Sequence, residues 1–166
     1  DLDLNHPWSL AADEAIALAI ECEAAAFAYH CDITNSEGAS VNTHQGIRVI
    51  GNSLGFLQGN LTTRHSFSCS VVAQRGDSMQ RDYWYSVARK ASELEAASEI
   101  GKKAGERSIK RLNARRIRTQ QCPVLYSAEV ASGLIGSLIG AISGGNLYRK
   151  STFLLDALDT QIFPGF

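Results

Sequence analysis

Between residues 33 and 87 the chain turns rich in Thr, Ser, Val, Asn and Gly, and its apolar residues fall on alternate positions, as at Ile47 and Val49 and again at Phe67, Cys69 and Val71. A period of two is what a strand with one buried face requires, because successive side chains point to opposite faces of a sheet. Gly38, Gly46, Gly51, Gly55, Gly59 and the triplet Arg75-Gly76-Asp77 punctuate the segment. Read as turn and bulge signals, they divide it into about five strands of an antiparallel meander. Arg75-Gly76-Asp77 is then a hairpin turn rather than an integrin-type recognition tripeptide. A sheet of this kind must bury its apolar face under helices, so the expected class is α+β, an antiparallel β meander flanked by helices with the start of a second domain.

The flanking segments carry helical spacing. Ser9 is a candidate N-cap, Asp13 and Glu14 suit a first turn, and Ile16, Ile20, Ala24 and Phe27 recur on one face, which predicts a helix over residues 10–29. Residues 91–113 read as a second, long helix. Val87, Ala91, Leu94, Ser98, Gly101, Gly105, Ser108 and Leu112 form a narrow seam of mostly small residues that lets it lie close on a sheet or a partner helix. Residues 122–126 look strand-like and lead into Val130, Leu134, Leu138 and Ile142, spaced four apart. Gly133, Gly136 and Gly140 lie between them. Each interior glycine costs a helix about 1 kcal/mol relative to alanine, so another backbone is expected to pack close to this face. The junction is expected within residues 120–123, giving a first domain over 1–120 and a truncated second one over 121–166.

Composition narrows the function classes. The 166 residues are 45% hydrophobic and 20% charged, with a formal net charge of −1. Neither nucleic acid nor a membrane is called for by that balance, and no run of eighteen apolar residues or basic-then-apolar leader occurs. A soluble intracellular, cytoplasmic location is expected. The start DLDLNHPW and the end FPGF suggest a piece of a longer protein. One local exception to the even charge is Lys102, Lys103, Arg107, Lys110, Arg111, Arg115, Arg116 and Arg118. These cations encircle the helix without aromatic residues to stack on bases, which favours a solvated helix face over a phosphate-backbone grip.

The reactive side chains are sparse. Cys22, Cys31, Cys69 and Cys122 show no C-x-x-C spacing and read as reduced thiols, with His30-Cys31 the one hint of an activated cysteine. His6 and His30 flank the first helix and read as structural. His65 precedes Ser66, yet no aspartate lies nearby in sequence to orient the ring, which places a hydrolytic triad below a structural histidine.

The segments ITNSEGAS (33–40), GIRVIGNSLGFLQGNLTTRHSFSCSVVAQ (46–74) and SGGNLYRKSTFLLD (143–156) resemble the PmbA/TldD family, and within it the PmbA (TldE) branch, over essentially the full length. In the TldD branch the helix corresponding to the run from Val130 to Ile142 carries a His-Glu-x-x-x-His zinc motif. Aligned by that resemblance, the motif falls on Ile135, Gly136, Ser137, Leu138, Ile139 and Gly140, so both histidines and the glutamate are replaced. The resemblance implies a non-catalytic PmbA/TldE-like subunit of a heterodimeric zinc metalloprotease that degrades unfolded peptides and processes peptide leaders. Its zinc is expected in a TldD-like partner and no cofactor in this chain. Asn35, Ser36, Glu37, Gly38, Arg64, His65, Tyr148 and Arg149 are candidate contacts to peptide or partner, with Asn35–Gly38 read as an acidic turn closing the first hairpin. The family's label as a modulator of DNA gyrase keeps a binding adaptor without a protease role as the alternative.

Overall fold

A computed structural model describes residues 2–163. Contacts divide the chain into two compact units, Asp1–Arg116 and Ile117–Phe166. In the first, helix α1 (Ala12–Tyr29) precedes strands β1 (Ile33–Gly51), β2 (Leu57–Arg75) and β3 (Ser78–Ala88), and helix α2 (Ala97–Lys110) follows. The strands form one antiparallel sheet in the order β1-β2-β3.

The α+β class holds, but three long strands replace the expected five. Gly46 and Gly59 sit inside unbroken ladders, and Gly38 marks a β-bulge within β1 rather than a turn. Glycine in a strand signals a bulge or a close approach as readily as a chain reversal, which is why punctuation overcounted the strands. True reversals occur at two places. Residues 52–56 close the first hairpin, where the Asn52 side chain accepts from the N–H groups of Leu54 and Phe56 and Gly55 takes φ +87°. Gly76 and Asp77 close the second, with Gly76 at φ +56° in the first central position, where a type II′ hairpin turn needs a left-handed residue.

Odd-numbered residues of β2 face the helices. Thr63, His65, Phe67, Cys69, Val71 and Ala73 are all buried, and Cys22, Ala26, Ile100 and Ala104 pack over part of that row. The seam on α2 explains how closely the two helices meet: a Cβ on Gly101 would collide with the Cys22 carbonyl oxygen, and one on Gly105 would lie 2.8 Å from Ile33 Cδ1 and 3.1 Å from the Ala26 carbonyl oxygen. Ser108, fully buried on the same helix, donates to the Val71 carbonyl at 3.1 Å and accepts from the Asp82 N–H at 3.1 Å, tying α2 to the ladder between β2 and β3.

Two boundaries and one face depart from expectation. The α1 N-cap is Ala11, not Ser9, with Glu14 accepting from the Ala11 N–H at 3.1 Å. Ile16, Ile20, Ala24 and Phe27 are exposed, and α1 buries Cys22 and Ala26 instead. Close approach to α2 demands small residues at the contact, so the bulky stripe lies elsewhere on the helix. The second long helix begins at Ala97, after a short 3-10 turn at Ala91–Glu93, because Leu94 and Ala96 are extended.

The second unit contains α3 (Ala128–Ile142) and the single turn α4 (Gly144–Tyr148). Residues 122–126 make no ladder among the described residues, since a strand needs a hydrogen-bonding neighbour. Apart from the helix's own backbone, no described residue lies within 4 Å of where Cβ atoms on Gly133, Gly136 and Gly140 would be, so the described residues do not supply the close backbone expected at this face. No helix among the described residues is long and apolar enough to cross a membrane.

Candidate functional site

Helices cover one face of the sheet, leaving even-numbered residues of β2 on the other. Ser66, Ser68 and Ser70 run down its centre, opposite Asn42, Ser40 and Gly38 of β1 and opposite Val87, Tyr85 and Tyr83 of β3. Tyr83 and Tyr85 stack with centroids 6.1 Å apart and remain 53% and 44% exposed. The result is a polar trough with an aromatic bank.

The bulge in β1 completes one end of it. Ser36 pairs with Val71 and Gly38 with Ser70, so Glu37 is the extra residue. Regular alternation would send an odd-numbered β1 side chain towards the helices, but the bulge resets the pleat and Gly38 adopts φ +103°, accessible to glycine at little cost. Glu37 therefore reaches the trough, where its carboxylate accepts from Arg81 at 2.8 Å and from the Ser70 hydroxyl at 2.9 Å. Those two donors, Arg81 foremost, hold the Glu37 carboxyl below its ordinary value, and the pairing raises Arg81 in turn. A cavity of about 300 Å³ lies among Glu37, Gly38, Ser40, Ser70, Arg81 and Tyr83. Chemically it offers a charge pair, hydroxyls and a tyrosine face, which suits recognition of polar or aromatic groups.

The candidate contacts separate on this scaffold. Glu37 and Gly38 line the cavity; Ser36 caps the Gly38 N–H at 2.8 Å and Asn35 the Ser36 N–H at 2.8 Å, so both shape the bulge. Arg64 is exposed on the same sheet face, about 20 Å along the strand from Ser70 at about 3.3 Å per residue. His65 is removed from the set: it is fully buried, with Nε2 2.9 Å from the His6 carbonyl oxygen, Nδ1 2.9 Å from the Thr43 hydroxyl, and Trp8 edge-on at 5.5 Å. A carbonyl can only accept, so Nε2 carries a proton and the ring is a cross-strand tie. Its position in a row of buried odd-numbered residues is the signal that could have revealed this. Tyr148 and Arg149 lie in the second unit, Tyr148 89% exposed and Arg149 donating to Asn146 Oδ1 at 3.0 Å. Arg81, Ser70 and Tyr83 were missed, although all three stand on the outward parity of recognisable strands.

Five cations of the basic cluster, those on α2 and at its C-cap, are paired within the fold, while Arg115, Arg116 and Arg118 lie beyond the helix end. Lys102 meets Glu99, Lys110 meets Glu106, and Lys103 meets Glu95 while lying 4.8 Å above the Trp84 ring. Arg107 and Arg111 both flank the buried Asp82 at 3.4 Å, and Asp82 also accepts from the Tyr83 N–H at 2.8 Å. A carboxylate in that position requires such partners.

Metal ligation fits poorly on α3. From Val130 to Ile142 it has only Ala, Val, Leu, Ile, Gly and Ser, and Ile135, Gly136 and Gly140 offer no imidazole or carboxylate. Among the described residues His30, Cys31 and Asp32 bring three possible ligand atoms within 4.8 Å. Two are already engaged: His30 Nδ1 accepts the Asp32 N–H at 3.0 Å and Asp32 accepts from Arg75 at 2.7 Å, so the cluster closes the α1–β1 turn.

Residues 5–112 match the sequence model of the PmbA/TldA metallopeptidase central domain, and residues 119–166 match that of the C-terminal domain. The chain belongs to the PmbA/TldA metallopeptidase family. It is 49% identical over 164 residues to the Escherichia coli O157:H7 protein named metalloprotease PmbA, and 42% identical over 164 residues to the Haemophilus influenzae homologue. Each alignment takes in 99% of this chain and 36% of the relative, so the chain spans about a third of the length of these proteins. A solved Thermotoga maritima protein, named for modulation of a DNA gyrase, superposes with a TM-score of 0.83 at 20% identity, over 93% of this chain and 36% of that one. That likeness establishes the family fold.

Proposed function

We propose that this chain is part of a non-catalytic, PmbA-type subunit of a zinc metalloprotease. A TldD-like partner holds the zinc, and the substrates are unfolded peptides and peptide leaders in the cytoplasm. The observation that carries the reading is α3, whose motif positions Ile135, Gly136 and Gly140 cannot ligate a metal or activate water. The sheet supports the rest. Its exposed main-chain edges suit sequence-tolerant capture of an extended peptide, and the trough around Glu37, Arg81 and Tyr83 suits contacts to side chains. Pairing of the α2 cations speaks against the alternative of a nucleic-acid or gyrase-directed adaptor, because binding a phosphate backbone requires cations free to displace counterions.

The test is zinc content and peptidase activity of the full-length protein, alone and mixed with a TldD-type partner. Activity only in the mixture, with zinc in the partner alone, is the expected result. Zinc and activity in this protein by itself would overturn the assignment.

A further inference from the structure

Charge is not balanced evenly over the first unit. Among the described residues up to 111, every lysine and arginine except Arg48, Arg64 and Arg89 forms an ion pair with a carboxylate. All three exceptions are exposed, and the sheet brings two of them together. Arg64 stands on the face of β2 turned away from the helices, directly opposite His44 of β1. Arg89 follows Ala88, the β3 partner of His65, and so comes up beside Arg64 on the other side. Neighbouring strands lie about 4.8 Å apart, which makes His44, Arg64 and Arg89 one row about 10 Å wide across the sheet. Arg64 and Arg89 share the wall of a cavity of about 330 Å³ with Thr63, Val87 and Ala88, and among the described residues no carboxylate lines it. Arg89 is steadied there by donating to the Thr63 carbonyl at 3.4 Å. Gly46 leaves room for the imidazole, since His44 Nε2 lies 3.1 Å from where a Cβ on that glycine would be. Arg48, opposite Asn60, extends the same face along β1.

We propose that this row is a subsite for acidic side chains, Asp or Glu, of a bound peptide. The proposal rests on the peptide-handling reading and names the peptides that it favours. Two neighbouring guanidiniums without a counter-charge repel each other. A carboxylate set between them relieves that repulsion and can accept two parallel N–H bonds from a planar fork. Arg48, about 13 Å from His44 at about 3.3 Å per residue, matches a second carboxylate four residues on in an extended chain. A phosphate backbone fits this face less well. It needs a longer run of unpaired cations than three arginines supply, and the Glu37 carboxylate stands at the other end of the same face. Nor do the aromatic rings help, because Tyr83, opposite Ser70, lies about 20 Å along the strands from Arg64 at about 3.3 Å per residue, too far to stack the bases next to it.

The experiment uses the full-length protein and a synthetic peptide alternating Glu with Ser, carrying a neutral dye at one end and an amide at the other, so that side-chain carboxylates are its only charges. Binding is followed by fluorescence anisotropy. The counterpart with Gln in place of Glu should bind about tenfold more weakly, and raising the salt should erase the difference. Arg64→Gln should weaken the acidic peptide about tenfold with an unchanged circular dichroism spectrum. Lys102→Gln, at a cation already held by Glu99, should leave binding as it was. Arg64→Glu should abolish the preference for Glu over Gln. Equal binding of the Glu and Gln peptides would overturn the subsite and leave peptide handling standing. Undiminished binding by Arg64→Gln, or tighter binding of an oligothymidylate of the same charge than of the acidic peptide, would overturn it as well. No binding of the acidic peptide would overturn the subsite alone, because the zinc and peptidase measurement tests peptide handling independently.

Discussion

Helices α2 and α3 use the same device, glycines at spacings of three and four, with different results. Gly101 and Gly105 let α2 settle against the backbone of α1 and bury Ala97, Ile100 and Ala104. Gly133, Gly136 and Gly140 meet no other described residue within 4 Å, and Val130, Leu134, Ile135, Ile139 and Ile142 on the same helix are half exposed or more. The intrinsic cost is alike, about 1 kcal/mol per glycine. On α2 the close packing of two helices offsets it; on α3 nothing among the described residues does. Glycine spacing thus reveals that a helix can be approached, and says nothing of what approaches it.

The largest effect should come from Gly101→Ala. Its new methyl meets backbone that cannot step aside, so a loss of about 3 kcal/mol or more is expected in chemical denaturation. Gly105→Ala, whose nearest obstacle is the movable end of Ile33, should cost less, about 1–2 kcal/mol. Equal effects at the two positions would break the argument that backbone contact sets the scale. Ser108→Ala removes the hydroxyl linking α2 to Val71 and Asp82 and should cost about 1–2 kcal/mol. Gly136→Ala should go the other way, raising the helix content of this chain by circular dichroism and stabilising α3 by roughly 0.5–1 kcal/mol. A loss there in the full-length protein would reveal a backbone packed on the α3 face.

The smallest effect concerns pH. The folded value of Glu37 is depressed, so whatever the pair with Arg81 contributes is fully present above the ordinary glutamate value of 4.5 and is lost as pH falls through the lower folded value. Both groups are exposed, which keeps the contribution small. Carboxyl carbon shifts followed by NMR should show Glu37 titrating below 4.5 in the native protein and moving up in Arg81→Gln; an unmoved midpoint would remove Arg81 as the cause.

Local pattern made the sheet legible. Phe67, Cys69 and Val71 announced a buried strand face, and Gly76-Asp77 a tight turn, because both signals depend only on neighbours in sequence. The seam of α2 was readable for the same reason. Strand number was not, since Gly46 and Gly59 look like punctuation until the partner strand is known. Nor was the buried face of α1, where the bulky stripe of Ile16 and Ile20 seemed the natural core and the small residues Cys22 and Ala26 took that role. At the candidate site Glu37 was visible as an acidic residue beside a glycine, whereas its partners Ser70 and Arg81 arrive from strands 33 and 44 residues away. The partners of His65, Thr43 and His6, lie 22 and 59 residues away, so its role as a tie was open only to the parity of the buried row.

The N-terminal segment has a bearing on how the domain assembles. Leu4 and His6 bond to Thr63 and His65, contacts that span 57 to 59 residues. Closing a loop of that length carries an entropic cost that only a finished docking surface can recover. That surface, the Thr63–His65 stretch of β2, exists once β1 and β2 are paired. The first residues of the domain to leave the ribosome should therefore be among the last to find their place. A nascent chain halted before β2 would leave Trp8 with no partner, so the fluorescence of that residue should report completion of the fold.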